Sequence, residues 1–261
     1  MNKTQIYYPR TFRRFKADYK NQWLFVLLCV APCLLLFLFF YSPLSRLLCQ
    51  GVQWCLRGVF GDQALSIGYG EYLPVLGGVY YLAVPNQLPG PAFCLVNLAV
   101  TLALLALCFT RRNRGKPLAI YLAIALLIHL ISCIYFLLAA DFFPYTATQY
   151  SELYMKQQVG IWLSFLAIAG FITGFMNNGT LLSRCVTFFG IMVYSFVFGS
   201  VRYLVFLFIV SKASSLYMPS MFFTLGPFFD FLYLVYFYGV FVRHVITRVN
   251  TGERRSVWEW F

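Results

Sequence analysis

The chain has 261 residues, of which 61% are hydrophobic, 20% aromatic and only 11% charged. A soluble domain carries roughly 25% charged residues, so this chain cannot clothe a water-facing surface, and its mean hydropathy of +0.74 points to a bilayer as its solvent. A net charge of +12 would suit nucleic acid, but the basic residues form short blocks beside apolar runs. That pattern orients helices in a membrane and attracts anionic lipid headgroups, so no nucleic-acid partner is expected.

The first 22 residues read as a basic-aromatic arm in which Lys3, Arg10, Arg13, Arg14, Lys16 and Lys20 are interleaved with Tyr7, Tyr8, Phe12, Phe15 and Tyr19. Such an arm suits an anionic lipid surface or a docking strap for a partner protein. The apolar run from Trp23 has no small-residue cleavage site behind it, so it is expected to stay as the first anchor. A spanning helix needs about 20 mainly apolar residues, and six segments qualify: 23–41, 92–110, 118–140, 159–176, 185–210 and 221–242. The predicted fold class is an all-α integral membrane protein with a six-helix transmembrane bundle over 23–242. A basic tail, 243–261, follows it and carries Trp258 and Trp260.

Orientation follows from charge. The arm, the connection 111–117, Arg184 and the tail hold 15 basic residues on one side, against four on the other, Arg46, Arg57, Lys156 and Lys212. The four are balanced by Asp62, Glu71, Asp141 and Glu152. The positive-inside rule therefore puts both termini in the cytoplasm, and a bacterial cytoplasmic membrane fits.

The outer loop, 42–91, is the longest connection. Arg46, Gln50, Gln53 and Arg57 recur at helical spacing, which predicts an amphipathic interfacial helix over 44–60. The stretch 72–84 is apolar but short and carries turn formers, so a re-entrant or surface-lying segment is expected there. The connection 141–158, with Pro144 and several tyrosines, is expected to cap the outer mouth of the bundle.

Of eight cysteines most lie in apolar runs and read as small hydrophobes. Cys49 and Cys55 fall outside the cytoplasm in this topology and are the candidate disulfide. There is no C-x-x-C, P-loop, G-x-S-x-G, H-E-x-x-H or dinucleotide fingerprint. Neither a metal nor a cofactor is expected.

Three ionisable residues fall within the spans: His129, Arg202 and Asp230. Such residues are costly in hydrocarbon and usually face a bundle interior or a cavity. Counted from the outer span ends, Arg202 and Asp230 lie about 12–14 Å deep and His129 about 16 Å. A short connection joins the fifth and sixth spans, so an Arg202–Asp230 ion pair is expected, with His129 lining the same outward pocket. The pair reads either as packing or as a site for a carboxylate, a phosphate or a developing oxyanion. Gly226-Pro227 is expected to kink the sixth span and free a carbonyl near Asp230. Gly170 with Gly174, and Ser195 with Gly199, have the small-x-x-x-small spacing of close helix pairs. Asn178-Gly179-Thr180 fits a glycosylation sequon, but on the cytoplasmic side.

The run Gly199-Ser200-Val201-Arg202, followed by an apolar span containing Gly226, resembles the end of exosortase-type membrane transpeptidases. That family is polytopic and uses a cysteine, an arginine and a histidine near the outer membrane face. The resemblance carries over only Arg202. Cys185 stands only 17 residues upstream, near the cytoplasmic end, and no histidine stands directly before Gly226, so the nucleophile is missing. The absence of a nucleophile or metal set leans against an enzyme. The leading expectation is a non-catalytic polytopic subunit of a membrane assembly in envelope polysaccharide synthesis, secretion or export, with partner membrane proteins and anionic lipid at the tails. A membrane enzyme acting at the outer face on a lipid-linked or anionic substrate ranks second. A small transporter or channel ranks third, for want of a repeat or of polar residues along the spans.

Overall fold

The computed structural model describes residues 13–15, 19–61, 65–74, 76–110, 113, 115–175, 181–250 and 258–260. Within it run β1 (Arg13–Phe15), α1 (Tyr19–Phe25), a π-helical turn (Val26–Val30), α2 (Ala31–Phe60), β2 (Ser66–Leu73) and β3 (Gly77–Ala83). They are followed by α3 (Pro91–Cys108), α4 (Pro117–Ala139), α5 (Ala147–Phe175), α6 (Leu181–Lys212), α7 (Met218–Thr224), α8 (Pro227–Asn250) and β4 (Trp258–Trp260). Among the described residues six helical stretches are long and apolar enough to cross a membrane: Lys20–Phe60, Pro91–Cys108, Pro117–Phe142, Ala147–Gly174, Leu181–Lys212 and Ser215–Arg243. The chain is a multi-pass membrane protein. The glycosylation sequon and most of the N-terminal arm lie outside the described residues.

The helices depart from the expected spans at their outer ends. The predicted interfacial helix is not a separate element, because α1, the π turn and α2 form one 41-residue helical stretch that runs through Pro43. Its polar stripe is where the spacing put it, with Arg46, Gln50 and Arg57 exposed and Gln53 half-buried. The opposite stripe, Tyr41, Ser45, Leu48, Cys49, Val52 and Leu56, is buried, in the protein core rather than in lipid. The connection 141–158, expected as a cap, takes the form of a 3-10 turn, Ala140–Phe142, and the first turns of α5.

The chain forms two compact units. One comprises residues up to Leu36, Leu163–Tyr194 and from Leu232 on; the other comprises Phe37–Trp162 and Ser195–Phe231. In the first, the G-x-x-x-G face of α5 meets the π turn. A Cβ at Gly170 would lie 2.4 Å from Val30, and one at Gly174 would lie 3.1 Å from Val26, so the close partner is this chain's own first helix. Phe25 packs edge-on against Phe188 at 6.0 Å. Arg184 is buried at the start of α6 and donates to the Gly174 carbonyl at 3.2 Å. Strands β1 and β4 pair antiparallel, Arg14 opposite Glu259, which joins the two basic-aromatic tails.

In the second unit the outer loop supplies the structure's main departure from an all-helical fold. Residues 72–84 are not one continuous segment, since 72–73 end β2 and 77–83 form β3. They belong to an antiparallel hairpin in which β2 pairs with β3, Ser66 opposite Ala83 and Tyr69 opposite Tyr80. Alternating tyrosines and glycines suit a pleated ribbon, and Gly77, with φ +102°, takes a turn conformation that a side chain would strain. Val79 and Leu82 are wholly buried in a core that includes Leu48, Tyr154, Trp162 and Leu207. Burial raises the Tyr72 phenol pKa above its ordinary value, so it stays neutral.

Candidate functional site

The buried polar centre of this second unit is assembled from four segments. On α5, residues Tyr150, Tyr154, Gln158 and Trp162 recur every fourth position, and all are at least 96% buried. On α6, Gly199 and Arg202 lie one turn apart on one face. A Cβ at Gly199 would come within 2.5 Å of the Gln158 amide, so glycine there lets Gln158 sit against α6. Between α7 and α8 the chain bends at Leu225 and Gly226, because Pro227 has no N–H to continue the ladder. Asp230 follows in the first turn of α8, where the helix N-terminus favours a carboxylate.

Arg202 sits at the convergence, 6% exposed, with Asp230 fully buried. Its Nη2 donates to Asp230 Oδ2 at 2.6 Å and to Gln158 Oε1 at 2.6 Å. Its Nη1 donates to the carbonyls of Leu225 and Gly226, each at 3.0 Å, and its Nε donates to the Tyr154 hydroxyl. A guanidinium has five N–H donors, and all five are engaged. The Tyr154 and Phe198 rings lie 5.7 Å and 5.5 Å from its central carbon, within cation–π range. Tyr150 Oη and Gln158 Nε2 are buried without a hydrogen-bond partner among the described residues.

The next residue along α6 ties this centre to the hairpin. Tyr203 stacks on Tyr154 at 5.7 Å. Its hydroxyl accepts the Leu82 N–H at 3.0 Å and shares a 2.7 Å hydrogen bond with Ser151. Arg202 and Tyr203 thus fix α5, the α7–α8 break and β3 from two adjacent positions.

The expected trio is therefore a pair. Arg202 and Asp230 meet, and the carbonyls freed at Gly226-Pro227 accept from Arg202. His129 takes no part in that hydrogen-bonded cluster. Its Nδ1 lies 2.9 Å from Ser220 Oγ and its ring stacks on Tyr217 at 5.2 Å, while Tyr217 donates to Asn97 at 2.7 Å. The Cys49–Cys55 disulfide is not formed; both thiols are free. They lie six residues apart on continuous helix, about 9 Å along its axis, beyond the reach of a disulfide. Cys49 is buried and donates to the Tyr80 carbonyl at 3.3 Å, while Cys55 is exposed. Among the described residues no group of His, Cys, Asp or Glu is arranged to hold a metal.

Tyr154 and Gln158 are the site residues that sequence reasoning missed, because they fell in a predicted connection. Their four-residue recurrence with Tyr150 and Trp162 was the signal that could have found them. No family model, curated protein or solved structure matches this chain.

Proposed function

We propose that the chain is a non-catalytic polytopic subunit of a membrane protein assembly, in envelope polysaccharide synthesis, secretion or export. The observation that carries this reading is the engagement of all five Arg202 donors by protein groups. An arginine that binds substrate or a developing oxyanion needs donors aimed at that atom. This one is aimed at α5, α8 and the break before α8, the arrangement of a residue that fixes packing. The 15-to-4 charge split supports a cytoplasmic position for both termini and contact of the basic tails with anionic lipid. A bacterial cytoplasmic membrane fits that reading.

A membrane enzyme acting at the outer face on a lipid-linked or anionic substrate is the second reading. It is favoured by Tyr150 Oη and Gln158 Nε2, buried polar atoms left over beside Arg202. Buried donors without partners are uncommon and call for an explanation. The two readings separate on one comparison, the membrane level of the protein and its co-purification in mild detergent across an Arg202 and Asp230 series. For a subunit, Arg202→Ala and Asp230→Ala each lower the amount of folded protein, the Arg202→Met/Asp230→Leu double variant restores it, and larger partners co-purify. Single variants that keep full protein level and partners but abolish an activity of the isolated chain would overturn the subunit reading.

A further inference from the structure

In an antiparallel ribbon, alternate residues turn their backbone groups toward the partner strand and away from it. On β3 the outward-turned residues are Gly78, Tyr80 and Leu82, and each N–H is met by a hydroxyl. Gly78 donates to Tyr69 at 2.7 Å, Tyr80 to Ser45 at 3.0 Å and Leu82 to Tyr203 at 3.0 Å. The Tyr80 carbonyl accepts from Cys49. All three outward N–H groups of that edge are thus satisfied.

Across the ladder from these three stand Glu71, Tyr69 and Ile67, which are therefore the outward-turned residues of β2. No group among the described residues bonds their N–H or C=O groups. Tyr69 and Glu71 are exposed and Ile67 half-buried. Proteins commonly blunt such an edge with proline, lysine or a bulge. Strand β2, Ser-Ile-Gly-Tyr-Gly-Glu-Tyr-Leu, has neither proline nor lysine, and its one irregularity lies between Glu71 and Leu73, which leaves Ile67 to Glu71 in regular register. The hairpin belongs to no candidate span, and an open strand edge persists only outside the hydrocarbon layer, where water satisfies it until it is paired.

We propose that the free edge of β2 is a β-augmentation site that takes an extended, basic segment of a partner protein as a third strand. Backbone pairing supplies the affinity and alternate side chains the selectivity. Glu71 supplies the charge preference, since it is exposed and makes no ion pair among the described residues. Of the two rings 5.0 Å apart across the ribbon, Tyr69 stands on β2 and gives a side chain on the added strand one aromatic neighbour, while Tyr80, on β3, is already covered by Arg46 at 5.6 Å. A second copy of this chain fits less well. Antiparallel self-pairing about Tyr69 would set Glu71 against Ile67, and β2 carries no basic residue.

The inference deepens the subunit reading and rests on it. The test reads the edge alone, so its failure leaves the Arg202 and Asp230 series standing. The full chain is reconstituted in nanodiscs of phosphatidylcholine, which carries no net charge. Fluorescence anisotropy follows binding of a short peptide alternating valine and arginine, with empty nanodiscs as the control. The arginine peptide is expected to bind. Binding is expected to weaken by about tenfold or more for a peptide with glutamate in place of arginine, and for one N-methylated at alternate backbone nitrogens. The same loss is expected for Ile67→Pro, which removes an outward N–H and no ladder bond. Equal binding by the N-methylated peptide needs no variant to fold and would overturn the proposal. So would unchanged binding to Ile67→Pro, no binding of the arginine peptide up to about millimolar, or a dimer of the chain that Ile67→Pro dissolves.

Discussion

Arg202 concentrates the energetics of the second unit on one side chain. Two charges removed from water are tolerated only when their attraction and every remaining hydrogen bond are in place, and here the guanidinium reaches five acceptors. Arg202→Ala would leave Asp230, fully buried, without its countercharge. We expect a loss of about 3–5 kcal/mol, read as reduced thermal stability in detergent. The Arg202→Met/Asp230→Leu double variant should recover most of that loss, because a well-packed apolar pair replaces both charges together. Tyr203→Phe tests the neighbouring contact. Removing one hydroxyl strands the Leu82 N–H and the Ser151 hydroxyl, at a cost of about 1–3 kcal/mol. Hydrogen exchange at Leu82 should rise. The Arg202–Asp230 pair was legible from residue type and span depth, because so few ionisable groups lie in apolar runs. The roles of Tyr154 and Gln158 were not read, since tyrosine and glutamine are as common in loops as in cores and only burial distinguishes the two.

At the scale of elements, small residues and breakers carry the packing. Gly170 lets α5 approach the π turn until a Cβ would collide with Val30 at 2.4 Å, whereas Gly190 has nothing within 4 Å of such an atom. Gly170→Leu should therefore cost about 1–3 kcal/mol or more through overpacking. Gly190→Leu should be neutral or stabilising, since leucine is the better helix former; thermal melts of the two variants in one detergent make the comparison. The Gly226-Pro227 break was readable because proline removes a backbone donor wherever it sits. The hairpin over 66–83 was not read, because its tyrosine- and glycine-rich strands carry no clean alternation of apolar and polar residues. Their burial pattern is mixed because helices pack around the ribbon. The expected interfacial helix had the right periodicity; Leu48, Val52 and Leu56 on it are buried against protein, while Leu47, Trp54 and Val59 are exposed. A hydrophobic stripe is the same sequence signal whether lipid or protein covers it.

For the molecule as a whole, length and charge make the constraints. A helical stretch of 41 residues extends about 60 Å. Even a tilt of about 40° cannot fit that into a hydrocarbon core of about 30 Å, so part of it stands in water or headgroups. Cys55 is exposed near its C-terminal end and Cys49 is buried. On the proposed orientation, with both termini in the cytoplasm, a membrane-impermeant maleimide applied to intact cells should label Cys55 and spare Cys49. Fluorescent-protein fusions to either terminus should report the cytoplasm. Labelling of Cys55 only after the cells are opened would reverse the orientation.

The sequence by itself determined that the chain holds six stretches long and apolar enough to cross a membrane, which face its charges favour, and that Arg202 and Asp230 fall where an ion pair is expected. Hydrophobicity, net charge and the cost of a lone ion in an apolar medium are properties of composition and order along the chain. Only the tertiary structure decided which groups fill the arginine's remaining donors, that His129 bonds elsewhere, that Cys49 and Cys55 stay apart, and that the outer loop folds as a hairpin with the outward N–H groups of one edge satisfied and the other edge open. Those outcomes depend on which surfaces meet across long stretches of sequence, and no local pattern encodes the identity of a distant neighbour.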